Sequence, residues 1–153
     1  MAISKNTFLI PTICRIRYVF ANLVTTIHKP LDHTVEIGII PPIAWFEIYF
    51  TPGTAEFTEV QKQEDPGSLY TQTLKFLFPG ESVYNAGTFD ELLNRPLLMS
   101  LYYTNSMTKI LGSSDNPARM NKSLKTDAKG TTWEFTVICY DKDQAYTYGL
   151  LIF

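Results

Sequence analysis

Apolar and polar residues alternate along most of this chain. Clusters of glycine, proline, asparagine and aspartate break the alternation at intervals of roughly ten to fifteen residues, as in all-β domains. Residues 131–140 show the alternation most clearly. Their apolar side chains fall at every second position, at Trp133, Phe135, Val137 and Cys139. Residues 68–78 repeat it. A period of two residues places such side chains on one face of a strand, so both segments are predicted as half-buried strands.

Several other segments have the composition of strands. They are residues 13–24, 34–40, 45–51, 97–103, 107–111 and 119–124. Residues 13–24 fit a strand or a helix, and we favour a strand because their apolar side chains alternate. Those side chains are Cys14, Ile16, Tyr18 and Phe20. The polar residues 55–65 are predicted as an exposed strand or a loop. Turn residues predict a type II turn at 51–54 and further turns at 65–67, 104–106 and 127–130.

One short helix is predicted near residues 88–94. Thr88 and Glu91 have the spacing of a capping box, in which each side chain accepts a hydrogen bond from the backbone of the other residue. Pro96 ends this helix within two turns. The pattern as a whole predicts a mainly β fold, an antiparallel β-sandwich or barrel with one short α-helix.

Composition and charge narrow the classes of function that fit this chain. The 153 residues are predicted to form one β-rich domain over residues 1–153, with residues 1–11 as an extended N-terminal arm. A net charge of −2 indicates no general affinity for nucleic acid but leaves a local basic patch open. The first residues lack the apolar core and the cleavage site of a signal peptide, and no apolar segment approaches 18 residues, so we expect no signal peptide, no transmembrane helix and no membrane association. Cys14 and Cys139 lie in apolar segments and are predicted as buried thiols, and a disulfide between them stays an alternative.

Candidate chemistry is sparse. His28, Asp32 and His33 are too few for a metal site and fit a surface loop. The carboxylates at Glu56, Glu59, Glu64 and Asp65 fit a solvated face better than an acid–base pair. The polar loop 114–117 has oxygen ligands for Ca²⁺ but also the composition of a plain turn, which we favour. We therefore expect no enzymatic activity, no catalytic residue and no cofactor.

The second half of the chain carries a resemblance. Residues 70–76, the short helix, residues 97–103, the loop 109–119 and residues 133–137 follow one another in an order that resembles small neck and tail structural proteins of tailed bacteriophages, especially phages of gut Bacteroidetes-type hosts. The resemblance covers just over half of the chain.

This resemblance implies a virion structural protein, a subunit of a ring or tube of the connector, tail terminator or tail-completion type. Its partners would be further copies of itself and adjacent neck or tail proteins, with DNA only as passing cargo and no membrane. It would be assembled in the host cytoplasm and located in the virion. The alternative is a monomeric β-sandwich binding module for carbohydrate or protein, with surface tyrosines such as Tyr102, Tyr103 and Tyr140 as the platform.

A ring requires two different surfaces on each subunit. The segments 1–11 and 61–68 are the best candidates for extended contacts. The individual candidate assembly contacts are Phe8, Ile10, Arg15, Arg17, Glu64, Asp65, Asp115, Asn116, Arg119, Tyr146, Tyr148 and Phe153.

Overall fold

A computed structural model describes most of the chain. It covers residues 11–28, 34–39, 45–64, 67–79, 89–113, 115–141, 146–148 and 150–152. For residues 24–28, 34–39, 146–148 and 150–152 it describes the backbone alone.

The described residues are mainly β. The strands are β1 (Ile13–Phe20), β2 (Val24–His28), β3 (Thr34–Ile39), β4 (Phe46–Ile48), β5 (Glu56–Glu64), β6 (Gly67–Pro79), β7 (Leu97–Tyr103), β8 (Thr108–Leu111), β9 (Arg119–Asp127), β10 (Gly130–Asp141), β11 (Tyr146–Tyr148) and β12 (Leu150–Ile152). A 3-10 turn, Ala21–Leu23, follows β1. The short helix α1 spans residues 89–93.

These strands form three sheets. The five-stranded sheet has the order β11–β8–β7–β1–β4, and the four-stranded sheet has the order β5–β6–β10–β9. Neighbouring strands are antiparallel in both. In a third sheet, of order β12–β3–β2, β12 runs parallel to β3. The arrangement is sandwich-like, and over the described ranges no sheet closes into a barrel. The predicted mainly β fold with one short helix is confirmed, and the sandwich is its form.

The core lies between the five-stranded and the four-stranded sheets. Ile16 and Leu101, which are paired across β1 and β7, contribute from one sheet. Val137 and Leu74, paired across β10 and β6, contribute from the other, and all four side chains are fully buried. The helix closes one end of the core, because the ring of Phe89 lies 4.4 Å from that of Phe135.

The five-stranded sheet is buried on both faces at its centre. Phe20 and Leu97 face the core, whereas their neighbours Val19 and Leu98 point to the opposite face and are equally buried. Ser100 is also fully buried there. Burial on both faces explains why β7 is apolar at every position except Ser100 rather than alternating.

The core faces of β6 and β10 are as predicted, and so are several turns. Gly53, with a φ of 80°, occupies the third position of the predicted type II turn 51–54, which Thr54 closes by donating its N–H to the oxygen of Thr51. In the predicted turn 127–130 the carboxylate of Asp127 accepts from the N–H of Lys129. The predicted hairpin across 104–106 joins β7 to β8. Thr88 of the predicted capping box lies outside the described residues, and Glu91 accepts a hydrogen bond from Arg95.

Other predictions were wrong in extent. Residues 13–24 divide into β1, a 3-10 turn and the start of β2, and β4 is only three residues long. The strand predicted at 119–124 continues to Asp127. For the polar segment 55–65, predicted as an exposed strand or a loop, the strand is confirmed as the edge strand β5. Strands β2, β11 and β12 were not predicted as separate elements.

The prediction for Cys14 was also wrong. The two cysteines do not form a disulfide, and Cys139 is buried as expected, but Cys14 is exposed. The cause is a β-bulge: Ile13 pairs with Tyr103 and Arg15 with Tyr102, which leaves Cys14 as the extra residue. The bulge moves Ile13 into the core in place of Cys14.

Candidate assembly surfaces

The β5–β6 hairpin forms one end of its sheet. Among the described residues β10 pairs with β6 as far as Tyr70, and Gly67–Leu69 pair with β5. Residues 60–64 are all exposed. Polar contacts hold this tip together, because the amide of Gln61 donates to the hydroxyl of Ser68 at 3.1 Å and Lys62 lies 2.7 Å from Glu64. Glu64 therefore lies at a projecting, solvated tip.

The β9–β10 hairpin forms the opposite end of the same sheet. Among the described residues β6 pairs with β10 as far as Thr132, and Gly130 and Thr131 nearer the turn pair with β9. All residues of 121–130 are exposed. The turn requires Gly130, whose φ is 121°. The sheet therefore carries two hairpin tips, one at each end, whose side chains lie outside the core.

The two edges of the four-stranded sheet carry opposite charge. Strand β5 has three glutamates and one lysine, a net charge of −2. Strand β9 has one arginine, two lysines and one aspartate, a net charge of +2. Lys122 of β9 lies 3.1 Å from Asp90 of the helix and over the ring of Trp133. Arg119 and Lys125 of the same strand are exposed, and Lys125 lies 3.7 Å from Asp127, so Arg119 is the arginine or lysine of β9 without an ion pair among the described residues.

Two arginines share one tyrosine ring on the five-stranded sheet. The guanidinium carbons of Arg15 and Arg17 lie 5.9 and 5.7 Å from the centroid of Tyr102. Arg15 is also paired with Glu47 at 3.5 Å. Nε of Arg17 and the hydroxyl of its cross-strand neighbour Ser100 are buried, and neither has a hydrogen-bond partner among the described residues. This face of the sheet is therefore rich in cations.

A cleft of about 350 Å³ opens beside Arg15. Strand β4 pairs with β1 only over Ile16–Tyr18, and the chain then leaves the sheet at Tyr49. It crosses to the four-stranded sheet, where the N–H of Thr51 donates to Leu77. The cleft lies in the resulting gap, with Arg15 and Glu47 as its charged lining and Tyr49 as an exposed aromatic.

The polar loop after β8 is a structural turn at Asn116. The N–H of Asn116 donates to the hydroxyl of Ser113, and its side-chain amide donates to Asp141 at 3.4 Å. The thiol of Cys139 donates to the Asn116 carbonyl at 3.1 Å. Asn116 therefore holds this loop against β10, and its neighbours Asp115 and Arg119 are exposed.

The structure groups the candidate contacts only in part. Arg15 and Arg17 lie together, Asp115, Asn116 and Arg119 share the loop that leads into β9, and Glu64 lies at the β5–β6 tip. Tyr146 and Tyr148 belong to β11, an edge of the five-stranded sheet, where only the backbone is described. Phe8, Ile10, Asp65 and Phe153 lie outside the described residues, as does most of the His28–His33 segment. Sequence reasoning missed the basic edge, although Arg119, Lys122 and Lys125 recur there at every third position.

Burial changes the acidity of two tyrosines. Desolvation raises the pKa of Tyr18 above its usual 10.0, and the nearby charge of Glu91 raises it further. Desolvation alone raises the pKa of Tyr103. At the hairpin tip, the hydrogen bond with Glu64 raises the pKa of Lys62.

Within the described part of the chain, no three histidine, cysteine, aspartate or glutamate side chains lie close enough to share a metal ion. No helix in that part is long and apolar enough to cross a membrane. Comparison of the chain with protein-family models, curated proteins and solved structures gave no match.

Proposed function

We propose that this protein is a virion structural protein, a subunit of a ring or tube in the neck or tail of a tailed bacteriophage. The observation that supports assembly is the pair of hairpin tips at opposite ends of one sheet. The resemblance of residues 70–137 to neck and tail proteins supplies the place in the virion.

The tips favour assembly for an energetic reason. A two-stranded ribbon is marginally stable by itself in water, and neither tip packs its side chains on the core. Contact with a neighbouring subunit would cover them. The two tips differ in sequence, so one subunit presents two unlike surfaces, which is what a head-to-tail ring requires. A net charge of −2 suits a wall that lets DNA pass without holding it.

The test is the mass of the purified protein in solution, measured by light scattering over a wide concentration range. It is measured alone and with the neck and tail proteins encoded beside it. We expect a discrete oligomer, formed alone or only with those proteins. A strict monomer under all of these conditions would overturn the proposed assembly. Mass spectrometry of purified phage particles tests the virion location separately, and absence of the protein from them would refute that part.

One observation favours a second function, a monomeric binding module for carbohydrate or protein. The cleft beside Arg15 combines an ion pair with the exposed ring of Tyr49, a combination that suits stacking and hydrogen bonding to a sugar. A glycan array with the wild type and Tyr49→Ala tests it. Binding by a monomer, lost in the variant, would support this function instead.

A further inference from the structure

The four-stranded sheet ends in two long strands. Strands β5 and β9 are both nine residues long, and each has one neighbour in the sheet over the described ranges. Side chains along both are largely exposed. An edge of this kind presents unpaired N–H and C=O groups that can pair with another strand.

The strand directions suit continuation from one copy to the next. Each neighbouring pair in the order β5–β6–β10–β9 is antiparallel, so β5 and β9 run in opposite directions. If a second copy follows in the same orientation, its β5 lies beside the first copy's β9 and is antiparallel to it. The sheet would then continue with unbroken alternation of direction.

The charges of β5 and β9 favour this head-to-tail arrangement over a two-fold dimer. Joining β5 to β9 brings a strand of net charge −2 beside one of net charge +2. A two-fold dimer would instead pair β5 with β5, or β9 with β9, and place like charges side by side. Opposite charges on neighbouring strands stabilise a sheet, and like charges destabilise it.

Protection of the edges against aggregation does not explain why β5 is acidic and β9 is basic. Charged residues on an edge discourage uncontrolled pairing whatever their sign, and lysine is the usual choice. An excess of glutamate on one edge and of lysine and arginine on the other is not needed for that purpose. It is what a specific head-to-tail contact would use.

We propose that β5 of one copy pairs antiparallel with β9 of the next copy, so that the four-stranded sheet continues around a head-to-tail ring. This inference rests on the proposed function and names its interface. Glu56 and Arg119 have no ion-pair partner among the described residues, whereas Glu64 is paired with Lys62 at 2.7 Å and Lys125 with Asp127 at 3.7 Å, so a reversal at either of these two also breaks a pair within its own strand.

The experiment uses two complementary variants of the full chain. Variant X carries Glu56→Lys and Glu64→Lys, which makes both edges positive. Variant Y carries Arg119→Glu and Lys125→Glu, which makes both edges negative. Each variant alone should need at least about tenfold more protein to assemble than the wild type. An equal mixture should assemble, because each variant then meets an edge of opposite sign.

The controls separate the possible failures. Glu134→Lys reverses the charge of an exposed side chain on the inner strand β10, and this variant should assemble like the wild type. Thermal melts check that each variant folds. Assembly of X and Y alone at wild-type concentrations would overturn the edge pairing and leave the ring proposal standing. Loss of assembly in X and Y without recovery in the mixture would also overturn the pairing. A wild type that assembles neither alone nor with the neck and tail proteins encoded beside it would overturn both.

Discussion

Replacing Gly112 by alanine should destabilise the protein through two separate effects. The φ of Gly112 is 90°, where an added Cβ costs about 1–2 kcal/mol. That Cβ would also lie 3.1 Å from the N of Ala118 and 3.1 Å from the O of Leu97. Both atoms are backbone and are joined by a hydrogen bond of 2.8 Å, so relief of the contact weakens that bond. Loss of a backbone hydrogen bond costs about 1 kcal/mol, which brings the expected total to about 2–3 kcal/mol.

Substitution of two other glycines separates the cost of the backbone conformation from the cost of the backbone contact. Gly53 has a φ of 80° and no atom within 4 Å of an added Cβ, so Gly53→Ala should cost only the conformational term. Gly67 has an equally open position and a negative φ, so Gly67→Ala should be neutral or slightly stabilising. Urea unfolding of the three variants, followed by tryptophan fluorescence, gives the free energies of unfolding. The contact argument fails if Gly112→Ala costs no more than Gly53→Ala.

Three further predictions concern single residues. Ser106 has a φ of 66° in the β7–β8 turn, so Ser106→Gly should stabilise the fold by about 0.5–1 kcal/mol in the same urea assay, and a loss of stability would contradict this. Cys14 should react with a thiol reagent at the rate of an exposed thiol and Cys139 only on unfolding, so equal rates would contradict the bulge. Because the pKa of Tyr103 is raised in the folded state, its hydroxyl loses the proton at a lower pH in the unfolded state than in the folded state. The contribution of Tyr103 to stability is therefore complete below pH 10 and is lost as the pH rises above that value. Tyr103→Phe should reduce this alkaline loss in thermal melts, and an unchanged pH profile would refute the assignment.

Local patterns were enough to predict the strands at the centre of the four-stranded sheet. The side chains of β10 alternate because one face meets the core and the other does not, and burial of Phe135 and Val137 follows that period. The turns at Gly53 and at Asp127 were also predictable, since proline, glycine and aspartate set the backbone within a few residues. The sequence also indicated Arg15 and Arg17 as candidate contacts, because they are charged residues in an apolar strand. It did not indicate that both lie over the ring of Tyr102.

Tertiary structure decided everything that depends on which strands become neighbours. Cys14 is exposed because β7 imposes a bulge on β1, and Tyr102, distant in the chain, brings Arg15 and Arg17 together. Among the described strands, β5 and β9 lie at the edges because β6 and β10 occupy the centre of the sheet. The order of the strands in a sheet depends on burial between residues distant in the chain rather than on local propensity. Alternation in the sequence therefore determined the strands and their faces, whereas packing determined which strands lie at the edges and which surfaces those edges expose.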